Sequence, residues 1–503
     1  MESLQNEAKN PAFEKHLSAR LLLSAAALGV MFSWLFAKQS LGINMLCFTL
    51  LVYAFALLNS EAFIVKRFRE APLIWLACIP VLLLSVLMFT SSTMMNGLAV
   101  LVVLFVLFVQ YLVLSGAALN DWYRPAFIGD LFFGVINRAV IGLPSFSAGV
   151  VNATFRGKTN SRKGAALGVL AGVVLLLVVV PVLAAADENL GVYINAFFSA
   201  IRFGDVVLYG FLFLLGASMS AGLVANARSE NRFGPKAAAP RGDTRPLEGS
   251  TTAVALTMVS VVYVIFAVIQ FGYFFDPRTT LSLAFGLTSS DYAVRGFGEL
   301  MFITCLNFVL LAAAQRFTAR RADGRPQPYL KTLYILLVAV NFVMLASAHL
   351  RMRLYEVSFG YTVSRVLSHS FMLLLVVLNV IMLARVFSEK VKALKLFAVT
   401  ALIYFVVLTA VNPERFVARQ NIARYEREGK IDAAYLFYLS GDALVDACSF
   451  AEAHPEVWDD DVSSAAEYAL QRTEEQMDNG WQSVNLAERR AYESLKTLTE
   501  NAP

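Results

Sequence analysis

Residues 350 to 365 read LRMRLYEVSFGYTVSR and carry Arg351, Arg353, Glu356 and Arg365 between two strongly apolar runs. Residues 291 to 300, DYAVRGFGEL, add Asp291, Arg295 and Glu299, spaced four apart and so on one helical face. Ionisable groups are costly beside hydrocarbon; they generally face the protein interior and pair, or mark a pathway. Two chemistries fit this pattern. The first is interhelical ion pairing, Glu299 with Arg351 or Arg353 and Glu356 with Arg365, which fixes helix ends without necessarily adding stability. The second is recognition. Four arginines face Glu299 and Glu356, with Asp291 at the rim, so at least one guanidinium is left over, and its planar fork suits a carboxylate or phosphate. A third possibility has Glu299 or Glu356 as a general base with the arginines holding a phosphate. Neighbouring arginines depress a carboxyl pKa, which makes a poor base and weakens that reading.

The elements that must position these residues are membrane helices. The mean hydropathy is +0.61 and 58% of the 503 residues are apolar, far above a globular average. Ala71 to Asn120 holds no charged side chain, and Gly164 to Ala186 is a second charge-free run. Each is long enough to cross a hydrocarbon core of about 30 Å. The segments lack the alternation of a barrel strand, so the expected class is an all-α polytopic membrane protein. About eleven spans are expected, near 21–37, 41–59, 72–92, 97–118, 164–185, 205–225, 252–274, 298–315, 330–348, 366–384 and 393–411. With that division, alternate loops carry 21 cations against seven in the others, including Arg295, Arg351, Arg353 and Arg365. The positive-inside rule then places the N-terminus in the cytoplasm and the C-terminus outside.

Residues 1–411 form the expected transmembrane domain, with an amphipathic interfacial segment at about 121–160 and a cytoplasmic loop at about 226–250 containing GPKAAAPRGDTRPLEGS. Residues 412–503 differ in kind, with 9 Lys+Arg against 18 Asp+Glu, whereas the first 411 hold 33 against 19. They read as a small, acidic, helical extracytoplasmic domain. Asn412-Pro413-Glu414 has a capping residue, a first-turn proline and an acid at the positive dipole end, a helix start. Ile431, Tyr435, Leu436 and Leu439 repeat at helical spacing, and 463–476 and 486–498 read as two further helices.

Little else suggests chemistry. Cys47, Cys78, Cys305 and Cys448 give no disulfide framework, and His16, His349, His369 and His454 show no metal-ligand spacing, so no metal is expected. GFGEL lacks the third glycine and the setting of a dinucleotide site, and no cofactor is expected. Basic loops follow from topology and do not imply nucleic acid. Asp205, Asn307, Asn341 and Asn379 lie within spans, as a transporter would require, but no internal repeat accompanies them.

Three stretches together resemble a known family. YAVRGFGEL (292–300), RMRLYEVSFGYTVSR (351–365) and NPERFVARQNIARYEREGKIDAAYLFYLSGDA (412–443) are similar, in order and spacing, to bacterial polytopic membrane proteins grouped as a domain of unknown function. That pattern has Y-A-R-x-G-F entering a span, R-M-x-L-Y followed by G-x-T-x-x-R, and N-x-x-x-x-V-A-R-x-N running into Y-L and D-A. Here Val294 stands where members often carry a second charge, and Tyr361 replaces an apolar residue. The resemblance covers roughly 290–445 and implies a bacterial inner-membrane protein, but no reaction. The resulting expectation is a non-enzymatic receptor or regulatory protein. Its ligand would be an anionic lipid or cell-envelope component, bound at Arg295, Glu299, Arg351, Arg353, Tyr355, Glu356, Arg365, Arg415 and Arg419. Arg415, Arg419 and Tyr425 would complete that site or hold the C-terminal helices down over it. The alternatives are a transporter of an anionic solute or lipid and a membrane-embedded transferase.

Overall fold

The computed structural model describes residues 19–68, 72–114, 118, 120–124, 126–132, 208–217, 220, 247–275, 289–319, 327–388, 390–477 and 479–501. Within them the side chains of 19–20, 60–68, 269–275, 289–300, 354, 355, 358 and 501 lie outside the description. Apart from an isolated bridge between Leu247 and Thr318, no strand occurs among the described residues. The class is all-helical, as expected.

Among the described residues, six helical stretches are long and apolar enough to cross a membrane: Pro72–Thr90, Met95–Leu114, Gly249–Val268, Pro328–Arg353, Val363–Phe387 and Ala393–Val411. Shorter apolar helices, Leu21–Phe36, Ile43–Asn59, Leu208–Ala217 and Met301–Phe317, fall where four further spans are expected. The span expected near 164–185, and most of the segment 121–160 and the loop 226–250, lie outside the described residues. The chain folds as two compact units.

The first unit comprises Met1–Ser91, Met95–Pro235 and Glu474–Arg489. Its helices are α1 (Ala19–Phe36), α2 (Ile43–Phe68), α3 (Pro72–Leu76), α4 (Cys78–Thr90) and α5 (Met95–Leu114). Leu21, Leu22, Ala25 and Leu28 of α1 pack with Phe55 and Ala217. Gly29 permits this approach, because a Cβ there would stand 2.7 Å from the Phe213 carbonyl oxygen. Several buried polar groups are matched in pairs, as apolar surroundings favour. Thr49 and Ser85 hydroxyls lie 2.9 Å apart. Gln110 Nε2 donates to the Ile74 carbonyl just before the α3–α4 break while its Oε1 accepts from Tyr53. The C-terminal piece of this unit binds two connectors: Ile43 N donates to Val484 O, and Asn485 Nδ2 donates to Met88 O and Ser91 O.

The second unit comprises Ser92–Met94, Lys236–Thr473 and Arg490–Pro503. It contains α6 (Gly249–Phe275), α7 (Ser289–Phe317), α8 (Pro328–Phe359), α9 (Val363–Phe387), α10 (Ala393–Val411), α11 (Pro413–Glu428), α12 (Ala433–Phe437) and α13 (Gly441–Ala453). Most of α14 (Asp460–Met477) and of α15 (Leu486–Asn501) also belongs to it. Helix α8 is the hub, packing against α6, α7 and α9 through Leu330, Leu337, Val338, Met344 and Met352. On α6 the row Val254, Met258, Val261, Ile265 and Val268 is more than half exposed, an apolar face of the kind lipid covers. The C-terminal helices share a buried core with the start of α9, which contributes Val363. Alanines 443, 447, 465, 466, 469 and 491 are fully buried and let the helices approach closely, with Phe437 and Leu444 filling the centre.

Candidate functional site

Helix α8 has 32 residues and is therefore about 48 Å long, whereas about 20 residues suffice to cross the hydrocarbon. Counted from Pro328, a span is complete near Ser347, so His349 to Phe359 continue beyond it. This places Arg351, Arg353, Tyr355 and Glu356 on a helix that outlasts its apolar run. The helix stops at Gly360 (φ 78°), where a Cβ would also meet Arg424 NH1 at 2.7 Å. After Thr362 the chain turns into α9.

The structure divides the sequence-predicted arginines into groups. Arg353 is exposed and, among the described residues, makes no hydrogen bond or ion pair; Arg351 is half-buried. Arg365 donates to the Gly360 carbonyl. The Glu356 carboxylate, 4% exposed, lies 3.1 Å from His369 Nε2, off hydrogen-bond alignment, so this neighbour comes from one turn beyond the expected Arg365. Arg295 and Glu299 are on α7, but their side chains, like that of Tyr355, lie outside the described residues.

Arg415 and Arg419 act together on Asp446 of α13. Arg415 is bidentate, with Nε to Oδ2 at 3.0 Å and NH2 to Oδ1 at 3.2 Å, and Arg419 Nε reaches Oδ2 at 2.8 Å. Burial by itself would raise the Asp446 pKa, but the hydrogen bonds from Arg415 and Arg419 outweigh it and hold the carboxyl below its ordinary 3.8. The folded state thus holds that proton less tightly than the unfolded chain. The stabilisation is complete well above 3.8 and is lost as pH falls through the lowered value. Asp446→Asn is expected to cost about 1 kcal/mol at pH 7, limited because Arg419 is 60% exposed. The same variant should flatten the acid limb of a stability-versus-pH curve followed by thermal unfolding.

Residues that sequence reasoning passed over fasten the C-terminal helices to the membrane helices of this unit. Asn421 makes a reciprocal pair with the Tyr361 backbone, accepting from its N–H at 2.9 Å and donating to its carbonyl at 2.8 Å. Arg424 NH2 donates to Val357 O at 3.3 Å, and Tyr435 Oη accepts from Val363 N at 3.4 Å. A second node grips Ser92–Met94. Asp442 Oδ2 accepts from Ser92 N at 3.1 Å and from Asn412 Nδ2 at 3.0 Å, and Asn412 Nδ2 also reaches Ser92 O. Glu414 Oε2 accepts from Met94 N at 2.8 Å and from Ser440 Oγ at 2.6 Å. Asn412, Glu414 and Asp442 are all buried. The helix-start triplet Asn412-Pro413-Glu414 was the visible signal for this node, since the cap itself forms, with Arg415 N donating to Asn412 Oδ1.

A polar chain crosses the membrane helices. Asn307 Nδ2 of α7 donates to Asn341 Oδ1 of α8 at 2.6 Å, Asn341 Nδ2 donates to Asn379 Oδ1 of α9 at 3.3 Å, and Asn379 Nδ2 donates to Leu375 O. All three are at most 1% exposed, and Asn307 Oδ1 has no donor among the described residues. Near the end of α8, His349 Nδ1 lies 3.0 Å from His369 Nδ1. Among the described residues no three His, Cys, Asp or Glu side chains converge as metal ligands.

No curated protein and no solved structure matches the chain. A family model does match, over residues 78–447, a range that takes in α8, the Gly360 turn and the Asn412 to Asp446 nodes just described. The chain therefore belongs to the family described as a domain of unknown function, DUF4153.

Proposed function

We propose that this is a receptor or regulatory protein of the bacterial inner membrane, without catalysis of its own, that recognises an anionic envelope ligand on the extracytoplasmic side. In this reading the N-terminus is cytoplasmic and residues 412–503 form an acidic domain outside. The observation that carries it is the division of labour among the arginines. Arg365, Arg415, Arg419 and Arg424 are engaged in holding the Gly360 turn and the C-terminal helices, while Arg353 stands exposed at the end of α8. Arg415 and Arg419 are then fasteners, and Arg351 and Arg353, with Arg295, Glu299 and Tyr355, are the ligand residues. A guanidinium at that depth meets lipid phosphates or an anionic solute with the same two-pronged hydrogen bonding.

The test uses the full-length protein in micelles, with phosphatidylglycerol, phosphatidylcholine and inorganic phosphate as probes in native mass spectrometry. Arg353→Gln is expected to remove about tenfold of the preference for phosphatidylglycerol over phosphatidylcholine, about 1.4 kcal/mol, while Arg419→Gln leaves it intact. Competition by inorganic phosphate would assign the ligand to a soluble anion. Equal binding by wild type and Arg353→Gln would overturn the site.

A second reading, transport, draws on the Asn307–Asn341–Asn379 chain. Its unfilled acceptor at Asn307 Oδ1 is a place where a water or a cation could be held within the membrane.

A further inference from the structure

We infer that His349, His369 and Glu356 form a proton-sharing site across the α8–α9 hairpin, which holds one proton between its two imidazoles and loosens when a second is bound. The inference does not depend on the ligand of Arg353. Two Nδ1 atoms at 3.0 Å are joined by a single proton, one ring donating and the other accepting through its lone pair. The rings meet edge-on, with centroids 4.8 Å apart at 71°. If both Nδ1 atoms were protonated, two N–H hydrogens would point at each other, and with both Nε2 atoms also protonated two cations would repel, so the contact must open.

Glu356 decides where the shared proton resides. Its carboxylate is 4% exposed and sits 3.1 Å from His369 Nε2, so positive charge on His369 is stabilised at the buried end of the array, while His349 is exposed at the other end. Contacts run in sequence from the buried carboxylate through His369 to the exposed His349 ring, which is the layout of a relay and not of a ligand cage. The sequence places them symmetrically: His349 is eleven residues before Gly360 and His369 nine after it, so a helical hairpin brings them level.

The surroundings oppose a second proton. On α8, Arg353 and Glu356 both act on His349, and Arg351 is two residues away. On α9, Arg365 lies one turn before His369, and from α11 Arg424 reaches the same turn at Val357 O. Helix α10 presents Tyr404, bonded to Ser370, and α12 presents Tyr435 to Val363 N. Helix α6 contains no Asp, Glu, Lys, Arg or His, and the side chains of Asp291, Arg295 and Glu299 on α7 lie outside the described residues. These four arginines against one carboxylate oppose a second positive charge at the pair.

Histidine C2 hydrogen–deuterium exchange on the full-length protein in nanodiscs reads each imidazole separately. The two rings are expected to titrate more than about one pH unit apart, as coupled sites do. His349→Gln should return His369 to a single titration. His369→Gln provides the reciprocal variant should His349→Gln fail to fold. Spin labels at Leu350→Cys and Ser364→Cys should report a longer or broader distance at pH 5 than at pH 7.5, a change that His349→Gln abolishes. Independent titration of the two rings, unchanged by replacing either, or a distance constant across that range, would overturn the inference.

Discussion

Asn412→Ala is expected to destabilise the second unit by roughly 3–5 kcal/mol, with an unfolding midpoint in detergent lower by about 5–10 °C. Three effects act together. Asn412 sits at φ 53°, a left-handed backbone that asparagine tolerates and alanine resists. Its Oδ1 caps α11 at Arg415 N, a bond worth about 1 kcal/mol. Its Nδ2 donates to both Ser92 O and Asp442 Oδ2, so removing it strips a donor from a buried carboxylate. Asn412→Gly separates these contributions: it keeps the backbone and loses the bonds, and should recover about 1 kcal/mol of the loss. Matching losses for the two variants would show that the backbone conformation is immaterial, and near-neutrality of both would show that the node contributes nothing.

Asn341→Leu is expected to cost about 2–3 kcal/mol and to loosen the α7–α8–α9 contact. Asn341 is the middle member of its chain, so its loss orphans Asn307 Nδ2 and Asn379 Oδ1 together, in a place where no bulk water can replace it. Interhelical hydrogen bonds in membranes average well under 2 kcal/mol because unfolded helices find other partners; the two orphaned groups put this one at the upper end. The variant also separates brace from path. If the chain is a brace, Asn341→Leu lowers the unfolding midpoint while Asn307→Leu, which removes only a terminal member, lowers it less. If the chain carries a solute, both variants abolish uptake into proteoliposomes to a similar degree whatever their stability.

Much of this protein was legible from its residues, and the parts that were not share a physical cause. Hydropathy read the charge-free stretch beginning at Ala71 as spans near 72–92 and 97–118, and the helical stretches Pro72–Thr90 and Met95–Leu114 lie there. Capping chemistry found the start of α11, and helical periodicity found most of α14 and α15. What hydropathy missed was length: α8 runs to Phe359, eleven residues past the expected span end, because nothing in Arg351 to Phe359 breaks a helix until Gly360. What spacing missed was long-range pairing. Asp446 is invisible as the partner of Arg415 and Arg419 until the turns between α11 and α13 fold them together. His349 and His369 look scattered, 20 residues apart, until the Gly360 turn is taken as the centre of a hairpin. Asn307, Asn341 and Asn379 were noticed one by one, yet only helix packing makes them a chain.

The proposed ligand site requires the C-terminal helices to lie outside the cell. The direct measurement is labelling of Ser464→Cys, an exposed position on α14, with a membrane-impermeant maleimide in intact cells. Cys47, Cys78 and Cys305 are first replaced by alanine. Cys448 can stay, since burial pushes its thiol up to about 12 and leaves it unreactive at neutral pH. Labelling before permeabilisation is the expected result. Labelling only after permeabilisation would put these helices in the cytoplasm and contradict an outward-facing arginine site.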